Sequence, residues 1–130
     1  MSSPISITPP ASAATVTDGG ATETVVLTID GVNTTDVQRQ VYIHGSLVID
    51  PGTAATAVVV KVRRGTTVAG VEVGSTETQT AAAGLKRVIP FDAEDIPGEV
   101  ANESYVVTVT ETSATADGTL DSVIGQAIVY

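Results

Sequence analysis

Residues 38–50, QRQVYIHGSLVID, alternate between apolar and mixed side chains with a period of two. Successive side chains of a β-strand leave opposite faces of the sheet, so this period predicts a strand with one buried face. The face predicted to be buried carries Val41, Ile43, Gly45, Leu47 and Ile49. The opposite face carries Tyr42, His44, Ser46 and Val48. Because this second face is only half polar, we expect another strand, a loop or a subunit to cover it.

The rest of the chain continues in short β-periodic runs separated by Gly, Asp and Pro. Composition agrees, because 21 valines, 9 isoleucines and 20 threonines stand against 4 leucines, and β-branched side chains favour sheet over helix. The acidic stretch 92–98 is predicted to be a loop with room for one helical turn. The fold class that follows is all-β, an antiparallel β-sandwich of about eight strands. The predicted strands lie near residues 13–17, 22–30, 38–50, 56–64, 66–73, 76–82, 86–91, 103–112 and 119–130.

The chain length of 130 residues suits one domain. Residues 1–14 contain three of the six prolines and are predicted to be an extended arm, whereas residues 15–130 form the sandwich. The N-terminus lacks the features of a secretory signal, and no apolar run reaches the roughly 20 residues that span a bilayer. We therefore expect synthesis in a cytoplasm and no membrane partner. The arm either frays or becomes ordered on a neighbouring subunit, and its contact residues are then Pro4, Ile5, Ile7, Pro9 and Pro10.

The charge and residue composition exclude several classes of function. Fifteen acidic and 6 basic residues give a net charge of -9, which repels phosphate backbones and disfavours nucleic acid as a partner. The absence of cysteine excludes disulfides, thiolate catalysis and zinc–thiolate sites. Tryptophan is also absent, and the few other aromatic residues weaken a sugar-binding or base-stacking function.

Few residues in the chain suit catalysis or cofactor binding. His44 is the single histidine, and Ser46 shares its face but has neither triad geometry nor a nucleophile elbow around it. The acidic stretch 92–95 and the loop 30–36 offer oxygen ligands for a hard cation, but neither has the spacing of an EF-hand loop. Solvated acidic turns are the favoured interpretation, and a cation site is the alternative. We expect a protein that is not an enzyme and has no cofactor.

Basic residues form two pairs, Arg63-Arg64 and Lys86-Arg87. Such pairs occur at exposed strand ends, but in an acidic protein they are also candidates for salt bridges across a subunit boundary or to an acidic partner. The candidate residues for a subunit or capsid interface outside the arm are therefore Tyr42, His44, Val48, Arg63, Arg64, Lys86 and Arg87.

The succession of strands over residues 38–130 resembles that of small virion proteins of tailed bacteriophages. The segments that carry the resemblance are 45–49, 57–74, 89–92, 95–97 and 104–109. The resemblance implies a jelly-roll fold similar to that of the tumour necrosis factor family. It also implies a homotrimer that serves as a capsid decoration or cement protein, located in the virion and bound to the major capsid protein or another virion protein.

Two other functions remain open at this point. One is a tail or spike module that binds a glycan or protein of the host surface, with an exposed groove lined by Tyr42 or Tyr105. The other is an immunoglobulin-like adhesion domain, which would need an export route that the N-terminus does not show.

Overall fold

The structure is a computed structural model that describes residues 5–7, 22–35, 40–112 and 118–130. Within these residues the secondary structure consists of β-strands, with no helix. The strands are β1 (Ile5–Ile7), β2 (Glu23–Val32), β3 (Val41–Asp50), β4 (Thr56–Arg64), β5 (Val71–Ser75), β6 (Gln79–Ala81), β7 (Arg87–Asp95), β8 (Glu103–Glu111) and β9 (Thr119–Val129).

The strands form two antiparallel sheets whose inner faces share one core. The first sheet has the order β1-β9-β3-β7, and the second has the order β2-β8-β4-β5, with β6 also paired to β4. With β6 set aside, this is the order of an eight-stranded jelly roll, in which two Greek keys interleave. The prediction of an all-β antiparallel sandwich is confirmed. The immunoglobulin-like alternative does not fit, because that fold has sheets of order A-B-E-D and C-F-G.

The alternation predicted at residues 38–50 is confirmed in β3, the strand that pairs with both β7 and β9. The second sheet buries one face of β3, and the opposite face of this strand is half-buried. The fully buried side chains of that strand are Val41, Ile43, Leu47 and Ile49. They pack in one hydrophobic cluster with inward side chains of the second sheet such as Val60, Val62 and Val107.

Two glycines provide space in this core for Phe91, the single phenylalanine of the chain. Gly45 of β3 lies directly opposite Gly125 of β9. A Cβ atom added to Gly45 would approach the Phe91 ring to 2.7 Å, and one added to Gly125 would approach the Leu27 side chain to 2.8 Å. The ring therefore packs against bare backbone, which explains why glycine occupies the centre of an otherwise apolar strand.

The strand predicted at 66–73 begins later, as β5, and this part of the prediction is wrong. A turn precedes β5, in which the Gly70 N–H donates to the Thr67 carbonyl at 3.1 Å. The Thr67 hydroxyl also accepts from the Ala69 N–H at 3.2 Å. Because these local bonds satisfy the backbone, the segment after Gly65 turns instead of extending β4.

The strand predicted at 76–82 is shorter in the structure, where it is β6. Thr76 explains the difference, because its N–H donates to the Val60 carbonyl at 2.8 Å while its hydroxyl accepts from the Val60 N–H at 3.1 Å. The side chain thus takes the place of a backbone acceptor beside β4. β5 and β6 are separate strands that pair with different halves of β4.

The acidic loop predicted at 92–98 is wrong in its first half, because β7 continues to Asp95. All nine residues of β7 pair with β3, and the last pair is Val41 with Asp95. Asp92 and Glu94 are exposed on the solvent face of β7. The carboxylates therefore alternate with buried apolar residues as on an ordinary half-buried strand.

Part of the predicted arm takes part in the sandwich. Residues 5–7 form β1, which pairs with Gln126–Ile128 of the same chain. The predicted strand at 13–17 and the remaining arm residues, Pro4, Pro9 and Pro10 among them, lie outside the described residues. The arm boundary at residue 14 stays a prediction.

Candidate interaction surface

The solvent side of the first sheet carries four rows of side chains that the register of β7, β3 and β9 places side by side. Directly opposite residues of an antiparallel pair share a face of the sheet, with Cβ atoms about 4.5–5.5 Å apart. We call the residues of these rows the outer face. The rows are Glu94–Tyr42–Ile128, Asp92–His44–Gln126, Pro90–Ser46–Ile124 and Val88–Val48–Ser122.

One half of the outer face is apolar. Val88 is 63% exposed and Ile124 is 56% exposed, and Val48 lies between Val88 and Ser122. Pro90, which lies on β7, is the third exposed apolar residue of this half. Large apolar side chains that share one exposed face are typical of surfaces that contact other proteins.

The other half of the outer face is acidic and aromatic. Asp92 lies opposite His44, and Glu94 lies opposite Tyr42. The rings of Tyr42 and His44 stack with centroids 5.1 Å apart and an angle of 22° between their planes. The Nε2 atom of His44 lies 2.5 Å from the side-chain amide of Gln126, which holds the imidazole against β9. Tyr42, His44 and Val48, predicted from sequence as interface residues, thus lie together on one face.

A groove follows the acidic half of the outer face at the edge where β5 meets β7. Its two cavities, of about 400 and 410 Å³, share Tyr42, Ser75 and Asp92 in their walls. Gly74 makes the close approach possible, because a Cβ atom there would lie 2.7 Å from the Ala93 Cβ and 2.8 Å from the Asp92 carbonyl oxygen. The glycine lets β5 lie against β7 and so places Ser75 as the far wall.

Arg63 binds carboxylate within its own chain. Its Nε and Nη2 donate to the two oxygens of Glu23 at 2.6 and 2.9 Å, and its Nη1 donates to the Gly70 carbonyl at 2.9 Å. The Thr108 hydroxyl donates to Glu23 at 2.6 Å. The hydrogen bonds from Arg63 are the main cause that holds the pKa of Glu23 below its ordinary value. The pair joins β4 to β2 over the outer side of the second sheet.

Arg64, the next residue, projects in the opposite direction and binds Asp95 at the end of β7. Its Nε and Nη2 donate to the two carboxylate oxygens at 2.8 and 2.6 Å. The Tyr105 hydroxyl donates to the same carboxylate at 2.7 Å. Burial disfavours the charge of Asp95, but the hydrogen bonds from Arg64 and Tyr105 outweigh it and lower the pKa of this carboxyl. Burial, followed by the bond to Asp95, raises the pKa of the Tyr105 phenol.

The position of Tyr105 corrects one sequence-based prediction. Its side chain is fully buried, so it cannot line an exposed groove. The residue lies on β8 in the inward phase shared with Val107 and Val109, a period that was visible in the sequence. Of the two tyrosines predicted for a groove, Tyr42 alone lies in one.

The second basic pair is exposed and also bound within the chain. Lys86 Nζ lies 3.1 Å from an oxygen of Asp121. Arg87 donates to the Thr80 carbonyl and to the Gln79 side chain, each at 2.7 Å. The predicted role of both basic pairs at a subunit boundary stays a prediction, and in the isolated chain each of the four side chains already contacts at least one acceptor.

The described residues do not bring together a set of side chains suited to metal binding: no group of three or more His, Asp or Glu has the required proximity. Ser46 shares the outer face with His44 but lies between Pro90 and Ile124. In the same part of the chain there is no apolar helix of membrane-spanning length.

Sequence reasoning does not find the acidic half of the outer face, because it predicts a loop at Asp92 and Glu94. Their alternation with Phe91 and Ala93 was the signal that could have placed them on a strand. It also missed Ile124, because the long-range pairing of β9 with β3 decides which side of β9 faces solvent.

Comparison with known proteins gives a fold and no family. No protein-family profile matches the chain, and no curated protein matches it in sequence. A structure of infectious bursal disease virus, strain Gx, matches with a TM-score of 0.53 and 14% identity over 96% of this chain. The VP2 subviral particle of infectious bursal disease virus matches with a TM-score of 0.51 and 14% identity, also over 96%. The chain spans 31% of the length of each matched chain. At this identity the likeness shows the fold alone.

Proposed function

We propose that the protein is a non-enzymatic structural protein of a virus particle, a decoration protein that binds the head of a tailed bacteriophage as a trimer. The observation that carries the proposal is the outer face, which no described segment covers and which has an exposed apolar half. The resemblance of residues 38–130 to small phage virion proteins supports it, as does a jelly roll similar in fold to structures from a virus. A protein of this kind acts through the surfaces with which it contacts the particle and its own copies.

The size of the outer face favours binding as an oligomer. Strands lie about 4.8 Å apart and alternate residues about 6.7 Å apart, so three strands and four rows cover about 400 Å². A stable protein–protein interface buries about 800 Å² on each partner. One face alone would therefore bind weakly, whereas three faces held together by a trimer would bind a symmetric site with the advantage of multivalency.

Reconstitution on particles tests the function. The purified protein is added to particles from a virus strain whose gene for this chain has been deleted, and the bound amount is measured after sedimentation. We expect saturable binding and a higher temperature of particle disruption. Particles that bind no protein, with no copies of this chain in the parental virus by mass spectrometry, would refute the proposal.

Sedimentation equilibrium tests the oligomeric state separately. We expect three times the 13.1 kDa mass of the chain at micromolar concentration. A monomer that nevertheless binds particles would refute the trimer and leave the structural role in place.

The groove beside Tyr42 favours one other function, a tail or spike module that binds the host surface. The Tyr42 ring supplies an apolar surface and the carboxylates of Asp92 and Glu94 supply polar groups beside it, the combination that orients a ligand in a binding site. Retention of the purified protein on host cell walls, abolished by Tyr42→Ala and absent on particles, would favour this second function over the first.

A further inference from the structure

We infer that the outer face docks an extended segment of a partner protein in which basic and apolar side chains are combined. The inference rests on the proposed function, since it names the chemistry of the protein to which this one binds. Three observations support the inference. They are the exposed carboxylates of β7, the contacts that the described basic side chains already make within the chain, and the proline at the edge of β7.

The first observation is that Asp92 and Glu94 form no ion pair within the described part of the chain. Both are exposed on the same side of β7, where Tyr42 and His44 are their neighbours on β3. Carboxylates form their strongest contacts with guanidinium groups, which they bind through two parallel hydrogen bonds. A cation in this position would also reach the tyrosine ring within the range of a cation–π contact. The acidic half of the outer face is thus complementary to a basic side chain.

The second observation is that another copy of this chain is a poor source of that cation. Every basic side chain that the structure describes already contacts an acceptor of its own chain. Lys61 binds Glu72 at 3.0 Å, and the other contacts are those of Arg63, Arg64, Lys86 and Arg87 given above. A second copy would have to break one of these contacts and would bring its own excess of negative charge. The described residues of a second copy thus offer no free cation, and the net negative charge of the chain favours a different protein as its source.

The third observation concerns the manner of docking. Pro90 lies opposite Ser46 in the middle of β7, and β7 ends the first sheet. Proline has no N–H to donate, and within sheets it is found on edge strands with its nitrogen directed away from the ladder. The unpaired edge of β7 therefore lacks a donor at its centre, and β5 lies against it at Asp92 and Ala93, both of which disfavour addition of a partner strand there. Docking takes place on the face, where the apolar side chains of Val88 and Ile124 are exposed.

The geometry defines the partner segment further. Rows on the outer face are about 6.7 Å apart, the repeat of alternate residues in an extended chain. A segment that runs along β7 would place basic residues over Asp92 and Glu94 and an apolar residue over Val88. In a matching segment the residues at alternate positions, which face this surface, are therefore basic toward one end and apolar toward the other.

The test is a binding titration with a short blocked peptide whose alternate residues are, in order, arginine, arginine, valine and valine, with serine at the positions between them. The control probe replaces arginine with citrulline, which keeps the shape of the side chain and removes its charge. We expect the arginine peptide to bind, to weaken steeply between about 50 and 500 mM salt, and to bind at least about tenfold more tightly than the citrulline peptide.

Variants locate the binding. Asp92→Asn with Glu94→Gln should weaken peptide binding by at least about tenfold. Asp30→Asn with Glu99→Gln makes the same change of charge at two exposed carboxylates outside the outer face and should leave binding within about twofold. Tyr42→Leu should weaken binding while Tyr42→Phe retains it. All four variants alter surface side chains, and thermal unfolding curves that match wild type verify their folding.

Each result has one interpretation. Equal loss in the two carboxylate double variants would mean attraction to net charge alone and would overturn the inference, as would equal binding of both peptides. Binding of a neutral oligosaccharide in the groove, with no binding of the arginine peptide, would overturn it in favour of a glycan site. If wild type and the Asp92→Asn, Glu94→Gln variant occupy particles equally, the inference fails and the proposed function stands. If neither wild type nor the Asp92→Asn, Glu94→Gln variant binds particles, the proposed function fails.

Discussion

Replacing Tyr105 with phenylalanine measures what the buried cluster at the end of β7 contributes to stability, because the change removes one hydroxyl and keeps the ring. That hydroxyl donates to Asp95 at 2.7 Å from a fully buried side chain. Hydrogen bonds to charged groups contribute about 1.5–3 kcal/mol. Arg64 still binds both oxygens of Asp95 in the variant, so we expect a loss of about 2 kcal/mol.

The expected change in Tm follows from the size of the chain. An unfolding entropy of about 2.1 cal/mol/K per residue over 130 residues makes 1 kcal/mol equivalent to about 4 °C. Tyr105→Phe should therefore lower Tm by about 7 °C in differential scanning calorimetry at pH 7. The matched control is Tyr42→Phe, which removes the same atom from the outer face and should change stability by less than about 0.5 kcal/mol. Equal Tm values for the two variants would refute the reasoning.

The difference in Tm between wild type and Tyr105→Phe at low pH tests whether the Asp95 carboxylate is the acceptor of this hydrogen bond. The pKa of Asp95 in the folded protein lies below its ordinary value of 3.8. As the pH falls through that lowered pKa, the carboxylate accepts a proton and its bond from Tyr105 loses the benefit of the charge. The difference in Tm between wild type and Tyr105→Phe should therefore narrow below about pH 4. A difference that does not narrow at any acidic pH at which the protein stays folded would mean that the hydroxyl acts through packing alone.

Three further predictions concern other parts of the molecule. The pKa values of Asp95 and Glu23 are lowered in the folded protein. The stability that these carboxylates contribute is therefore complete above about pH 5 and is lost as the pH falls through their folded pKa values. Equal urea midpoints at pH 7 and pH 3 would contradict this prediction. Gly74→Ala should lower the free energy of unfolding by about 1–3 kcal/mol in urea, because the added Cβ would press β5 away from β7. A urea midpoint equal to that of wild type would show that β5 moves aside without cost. Val88→Ser with Ile124→Ser should abolish binding to particles while Tm changes by less than about 2 °C, and full occupancy by the double variant would exclude the outer face as the contact.

Much of the fold was predictable because its signal is local. The two-residue alternation of β3 needs no knowledge of its neighbours, since burial of one side of a strand is enough to produce it. The same is true of β4, where Val58, Val60 and Val62 alternate with less buried residues. The ends of β5 and β6 were predicted less well, because the side chains of Thr67 and Thr76 take over backbone hydrogen bonds that composition alone does not reveal.

The candidate site was predictable in part, and the limits have a physical cause. The mixed face of β3 followed from periodicity, which identified Tyr42, His44 and Val48 together. Periodicity does not reveal the carboxylates that bind Arg63 and Arg64, because Glu23 and Asp95 lie 40 and 31 residues away in the chain. Only the order of the strands brings such groups together, and a jelly roll places most neighbours far apart in sequence.

The adjacent arginines of β4 have a consequence for the kinetics of encounter. Because neighbouring side chains of a strand leave opposite faces, Arg63 and Arg64 do not form a doubly positive patch, and each is neutralised on its own side by a carboxylate. The long-range potential therefore follows the formal net charge of -9. Such a potential accelerates the diffusional approach of basic proteins and slows that of identical copies. At low ionic strength, discrimination between partners begins while they are still separated by solvent.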